Sequence, residues 1–424
     1  EGAIEDGGGG GGGASGGGGR GGGGTADATR RAGGMHAGGT TEGVFAALEL
    51  LRRSRRKYVI VDAKHGLGNR LRALASAMSV AAALQRPVML VWVSDLHCNC
   101  SFRGLFGPPL PFALLEEELP IANLSAEHFQ VHNYMRPEAG AVRDARVEPD
   151  PRRHLYFKSA FVMSHPMGGW HSAQQQMGRL TPVAEVATRL VADKGMVGLH
   201  VRNVFDAPRD AATAKAAMGK EAMRRAQRDY GTEGARQLLQ WRKAAHWSQF
   251  VPRIATLLQE HTYHHPDGLA QAPLQFYLAA DSKDAYDGLS RRFPGRMILT
   301  ERRCAAERCD TRDCEGIRFS LIDMMNLART RLILGSGWSS YSEVAAYWGG
   351  EGGMPVPMLV AGRDFGQVVD MPPVPATRPA TDAEFSLSAE RRLDPDEEDG
   401  LLATSRDDGT ETMQRSWPKP FGNW

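Results

Sequence analysis

This sequence has almost no excess charge: 51 Lys and Arg stand against 49 Asp and Glu, a formal +2 over 424 residues. A chain so balanced does not read as a nucleic-acid binder held by bulk charge. It also lacks long apolar runs. None approaches the ~18 residues that a bilayer-spanning helix needs. Cysteine is scarce, five in all, too few at this length for a disulfide-built scaffold. The third shortage is large side chains at the start: residues 1–40 hold 20 of the 49 glycines. Such a segment cannot bury enough surface to offset its ordering entropy, so residues 1–42 are expected to be a disordered Gly-rich leader. The remainder has an ordinary globular composition and is long enough for two domains. Beginning at Glu1 rather than Met, the chain leaves room for a removed signal or anchor. With one, the expected location is a Golgi or secretory lumen; without one, the cytoplasm. The sequons at Asn99 and Asn123 matter only in the first case.

Past a short helix expected over 43–51 comes a basic run, Arg52, Arg53, Arg55, Arg56 and Lys57. Runs of this kind are solvated faces or patches for a membrane or partner. Tyr58–Val61 reads as a strand, His65-Gly66-Leu67-Gly68 as a turn, and 69–84 as a helix from its three-and-four apolar spacing. Val88–Val93 is a continuous apolar strand. Further strands are expected near 129–131 and 155–157, and a helix over 182–192. A second series begins with strand 196–202 and a long charged helical region over 216–259. It continues with strand 275–279, helix 283–292, strand 297–299, helix 320–329, strand 332–334, helix 341–348 and strand 358–360. Continuous apolar strands alternating with helices specify parallel sheets covered on both faces. The expected domains are 43–194 and 195–370, ending in a Pro- and acid-rich tail over 371–424.

In open parallel sheets, ligands sit outside the carboxyl ends of the strands. Those positions carry Gly66, Gly68, Asn69 and Arg70, then Asp95 and His97, then His200 and Arg202, then Asp281, then Gly335-Ser336-Gly337-Trp338-Ser339-Ser340. The last turn suits an anion, with small residues, hydroxyl donors and a helix start; equally it suits a plain Ser N-cap. His200 and Arg202 share a strand face. Arg202 either binds a phosphate bidentately or pairs with a carboxylate such as Asp206 or Asp210. Cys304, Cys309 and Cys314 lack zinc-knuckle spacing, so loop thiols or disulfides are expected over a metal site. No Walker spacing and no Gly-x-Ser-x-Gly elbow occurs.

His200-x-Arg202 after a strand, Asp281 ending 276–281, and Gly335-Ser336-x-x-Ser339-Ser340-x-Ser342-Glu343 occur in an order that resembles the three motifs of the fucosyltransferase superfamily. Gly66-Leu67-Gly68-Asn69-Arg70 is similar to the G-x-G-N turn of that family's first domain. The resemblance covers roughly residues 57–362. It implies an α/β, GT-B-like fold: two doubly wound Rossmann-like domains facing across a cleft. It also implies an inverting fucosyltransferase taking GDP-fucose as donor and a glycan or protein hydroxyl as acceptor, with no other cofactor. By the same resemblance, Arg202 holds the diphosphate and His200 helps seat the nucleotide. Asp281 accepts from the guanine edge, and Ser336, Ser339 and Ser340 line the phosphates. Asn69 faces the sugar and departing oxygen. Asn203 stands where the family often has a second Arg, and Trp338 where members often have a small residue or proline. No Asp-x-Asp pair ends a strand, so metal-independent transfer is expected, with Arg202 supplying positive charge. Asp95 and Asp206 are the candidate general bases, Asp95 favoured if burial against Trp92 or Phe102 tunes it. The alternatives are a non-catalytic nucleotide-sugar or glycan binder, a turn aspartate at Asp95, and a different donor sugar.

Overall fold

The structure, a computed structural model, describes residues 41–120, 124–135, 146–169, 173–204, 214–263, 273–302, 304 and 308–366. The expected leader over 1–42 falls almost wholly outside these residues. The tail over 371–424, Asn123, Asp206 and Asp210 lie outside them entirely.

In chain order the elements are α1 (Thr41–Arg53), β1 (Val59–Ala63), α2 (Leu67–Ala83), β2 (Val88–Val91), β3 (Phe106–Gly107), β4 (Ala113–Leu115), β5 (Phe129–Asn133), β6 (His154–Ser159), α3 (Ala173–Met177), β7 (Thr181–Pro182) and α4 (Ala184–Ala187). Then come β8 (Val197–Val201), α5 (Ala214–Ala244), α6 (Trp247–Tyr263), β9 (Phe276–Ala280), α7 (Lys283–Arg292), β10 (Met297–Ile298), α8 (Cys314–Arg329), β11 (Leu332–Gly335), α9 (Ser340–Trp348) and β12 (Met358–Val360).

Two five-stranded sheets result, ordered β4-β2-β1-β6-β5 and β10-β9-β8-β11-β12. All their pairings are parallel. The reason is visible in β1. Val59, Val61 and Ala63 join one core and Ile60 the core on the opposite face. With a period of two, a strand buried on both sides must be apolar throughout. The second sheet starts at its centre, β8, moves outward through β9 and β10, then returns to place β11 on the other side of β8. The carboxyl ends of β8 and β11 therefore form a topological switch point, where a crevice opens in such sheets.

The described residues fall within one unit. A shared core explains it. Apolar residues of α2, α8 and α9 pack together with β1 and β6 and with Tyr277, Ala279 and Ile333 of the second sheet. Outside this layer, Leu48 and Leu51 of α1 cover the far face of the first sheet. Phe250, Ile254 and Leu257 of α6, with Leu289 of α7, cover that of the second.

Two expectations need correction. The helix over 182–192 shrinks to Ala184–Ala187, because Asn326 Oδ1 takes the amides of Val191 (2.8 Å) and Ala192 (2.9 Å) that a longer helix would use. The helical region over 216–259 is two helices, and α5 is itself interrupted at Gly231, whose φ of 73° is left-handed. The short β4 and the antiparallel pair β3–β7 were not expected at all. The cysteine alternatives resolve as disulfides, Cys100–Cys314 and Cys304–Cys309, leaving Cys98 a buried thiol. Burial raises the pKa of that thiol to about 11.

Candidate functional site

The site assembles around the switch point. Ser336, just past β11, donates its hydroxyl hydrogen to His200 O (2.7 Å) and accepts from Arg202 N (2.8 Å). Its hydroxyl is thus spent on bracing the end of β8 against the end of β11. Asp281, just past β9, braces the other side: its carboxylate accepts from Asn203 N and Val204 N, each at 3.2 Å. Ser282 Oγ donates to Asn203 Oδ1 (3.2 Å). The backbone after β8 is therefore held from both neighbouring strands, and Arg202 is the side chain this brace presents. The guanidinium of Arg202 makes no hydrogen bond or ion pair with any described residue.

His200 lies beneath, 6% exposed, its ring stacked on Tyr341 with centroids 4.7 Å apart. Burial, helped by the neighbouring Arg202 and Arg242, pushes its pKa down to about 3, so it stays neutral. Its Nδ1 is buried without a hydrogen-bond partner. Asp281 goes the other way. Burial raises it to about 6, outweighing the opposing pull of Arg202 and Arg242.

Arg242 was missed by the sequence reading. From the last turn of α5 its Nη1 reaches Gly337 O at 3.4 Å. Trp241 beside it closes over the glycine turn: a Cβ at Gly337 would stand 2.0 Å from Trp241 Cε3. The only sequence signal was a basic helix end. The turn itself is tense at Trp338, whose φ of 54° is left-handed, a cost that clusters at functional sites. Ser339 caps α9 by accepting from Tyr341 N at 3.4 Å.

The first sheet contributes the start of α2. A Cβ at Gly68 would lie 3.0 Å from Ser340 Oγ and 3.2 Å from Tyr341 Cα, so glycine is what lets the amino ends of α2 and α9 meet. Gly66 is the N-cap position of α2. His65, before it, is also left-handed at 66°. Asn69 Oδ1 accepts from Arg72 Nη2 (2.9 Å), and Arg72 pairs with Glu343 of α9 (3.2 Å). Gly66, Gly68, Asn69 and Ser340 are therefore gathered at one junction, next to the group of His200, Arg202, Asp281, Ser336 and Ser339.

Asp95 stands apart. Instead of packing against Trp92 or Phe102, its carboxylate meets the fully buried Arg70 at 2.7 Å. Its Oδ1 also accepts from His97 N (2.8 Å) and Cys98 N (3.0 Å). Arg70 is held further by His65 O and Val93 O, both at 2.7 Å, and by the Trp92 ring at 4.9 Å. This loop is tied to the second sheet's side by Asn99 N donating to Arg312 O (3.0 Å) and by the Cys100–Cys314 disulfide. An open hollow of about 610 Å³, lined by Gln175, Arg179 and Trp348 among others, lies at the far end of α9 and contains none of these groups.

No family model and no curated protein matches the chain. Solved structures do. Fucosyltransferases are among them. NodZ from Bradyrhizobium is 16% identical, covers 69% of this chain and 93% of its own, and superposes with a TM-score of 0.42. A mutant of Arabidopsis thaliana FUT1 in complex with GDP is 17% identical, with 73% of each chain covered and a TM-score of 0.41. POFUT1 in complex with GDP-fucose is 11% identical, with 73% and 99% covered and a TM-score of 0.42. TM-scores this low leave the site's own geometry to carry the reading.

Proposed function

We propose that the chain is a glycosyltransferase that binds a nucleoside diphosphate sugar, GDP-fucose, at the carboxyl ends of β8 and β11. In this reading, 43–194 is an acceptor-side Rossmann-like half and 195–370 a donor-side half. The observation that carries it is Arg202: a guanidinium that makes no hydrogen bond or ion pair with any described residue, presented by a backbone braced from Ser336 and Asp281. Diphosphate is the ligand chemistry this suits, because Arg binds it bidentately and helix-end amides add favourable partial charge. The buried Arg242 adds positive charge behind the turn, and the neutral His200 keeps the ring beneath it uncharged. Ser339 and Ser340 lie on the phosphate side. Asp281, ionised above about pH 6, supplies the acceptor for a guanine edge.

Departure of the nucleotide leaves charge on its terminal phosphate, which Arg202 and the α9 amides stabilise without a metal ion. The amide nitrogen of Asn69, whose oxygen is already used by Arg72, donates to the departing oxygen. An acceptor hydroxyl attacks the anomeric carbon from the opposite side as the sugar–phosphate C–O bond breaks, giving inversion, and its proton passes to the departing diphosphate through solvent. Asp95 serves here as a positioning group for the loop after β2, since Arg70 and two amides already occupy its carboxylate.

Titration calorimetry with GDP, ADP, UDP and GDP-fucose tests this. GDP and GDP-fucose should bind, and Arg202→Ala should weaken GDP by about 1.5–3 kcal/mol, the worth of a charge-assisted hydrogen bond. Preference for ADP or UDP would overturn the guanine assignment. Binding of GDP-fucose without GDP release in EDTA, across glycan and protein acceptors, would leave a donor-binding protein that is not a transferase.

A further inference from the structure

The basic run after α1 takes no part in the site above. It lies at the opposite edge of the first sheet, where the strands begin. Three segments meet there. Tyr58 N donates to His154 Nδ1 (2.9 Å), Val59 N to Pro87 O (3.0 Å), and the Arg86 guanidinium to Arg153 O (3.1 Å) and Asp150 O (2.8 Å). Three carboxylates near this edge are already engaged. Glu49 pairs with Arg52 (3.4 Å) and Arg53 (3.2 Å), Asp150 with Arg153 (2.7 Å), and Glu127 with His128 (3.9 Å). Arg55, Arg56, Lys57 and Arg152 remain, their side chains without a hydrogen bond or ion pair to any described residue.

A solvated basic face accounts for the cations alone. It does not account for α1, which holds Leu48 and Leu51 in the core yet turns Phe45 and Leu50 outward, 62% and 54% exposed. Exposed apolar groups on a helix followed directly by cations without a hydrogen bond or ion pair are the pattern of an interfacial segment. The apolar groups enter the headgroup–acyl boundary and the cations meet anionic headgroups. A nucleic acid would engage the cations and leave Phe45 and Leu50 unused.

We propose that the outer face of α1 and the 55–57 segment dock this protein onto an anionic lipid bilayer. The proposal is independent of which nucleotide, if any, that site binds.

Co-sedimentation of the full chain with vesicles tests it, using phosphatidylcholine alone and phosphatidylcholine with about a third phosphatidylserine. The chain should partition onto the anionic vesicles and stay in solution with the neutral ones. Each surface cation near an anionic bilayer is worth about fivefold in partitioning, so the triple variant R55Q/R56Q/K57Q should lose about 100-fold. F45A/L50A should also lose most of the binding, with thermal unfolding of both variants matching wild type. Equal binding to neutral vesicles, or a triple variant that partitions like wild type, would overturn the proposal. So would single-stranded RNA bound as tightly as the vesicles together with an F45A/L50A variant that is unaffected, which would make the edge a polyanion site.

Discussion

Replacing Asp95 by Asn separates two uses of one carboxylate. If the group exists to neutralise Arg70, the loss appears in stability. Arg70 has a side chain with no exposure, and Asp95 approaches its Nη2 at 2.7 Å. The approach is a charge contact rather than an aligned hydrogen bond, since Nη2 has no hydrogen-bond partner by geometry. Removing one member of a buried pair costs about 3–5 kcal/mol, because the other charge is left uncompensated. The cost here is smaller. The Asp95 side chain is 32% exposed, and Arg70 keeps His65 O, Val93 O and the Trp92 face. We expect about 2–3 kcal/mol for Asp95→Asn, which retains an oxygen for the His97 and Cys98 amides. Asp95→Ala also releases those amides and should cost about 1 kcal/mol more. Urea unfolding of both, with GDP affinity measured in parallel, gives the numbers. In a double-mutant cycle, Asp95→Asn with Arg70→Met should cost about 1.5–3 kcal/mol less than the two single changes together. The reasoning fails if Asp95→Asn unfolds within about 0.5 kcal/mol of wild type and shows no coupling to Arg70. A turnover loss of ~10²–10⁴ at unchanged stability would restore Asp95 as the general base.

The Cys100–Cys314 bridge closes a separation of 214 residues and Cys304–Cys309 one of 5. Loop-closure entropy grows with that length, so C100S/C314S should lose about 3–5 kcal/mol and C304S/C309S about 2 kcal/mol; thermal unfolding in which the short loop matters as much would contradict this. Burial lowers His154 from 6.5 to about 4. The unfolded chain then takes up a proton near pH 6.5 that the folded chain refuses, so this stabilisation is complete above pH 6.5 and is lost as pH falls towards 4. Between pH 7 and 4.5, wild type should lose about 2–3 kcal/mol more than His154→Gln. Equal acid losses in the two proteins would remove His154 from the account.

Most of the secondary structure of both sheets is written in local pattern. Val59–Val61, Val88–Val91 and Leu332–Leu334 had to be apolar throughout because each strand is covered on both faces, and that pattern is legible one residue at a time. Helix α7 was equally local. Elements with little burial were not legible: β4 offers three residues of mixed exposure, and β3 and β7 two each. The helix expected over 182–192 ended early because Asn326, far away in the chain, supplies the competing acceptor.

The candidate site divides in the same way. Strand-end position directed attention to His200, Arg202, Asp281 and the Ser336–Ser340 turn, since the residues just past a parallel strand are a matter of chain order. The task of each side chain there was settled by partners distant in sequence. Ser336 braces Arg202 from 134 residues away, and Asp281 accepts from the Asn203 and Val204 amides. Arg70 claims Asp95. Trp241 and Arg242 entered only because α5 lays its last turn across Gly337. Periodicity reports which face of an element is buried, but pairwise contact between elements depends on how they pack, and packing is a property of the assembled chain.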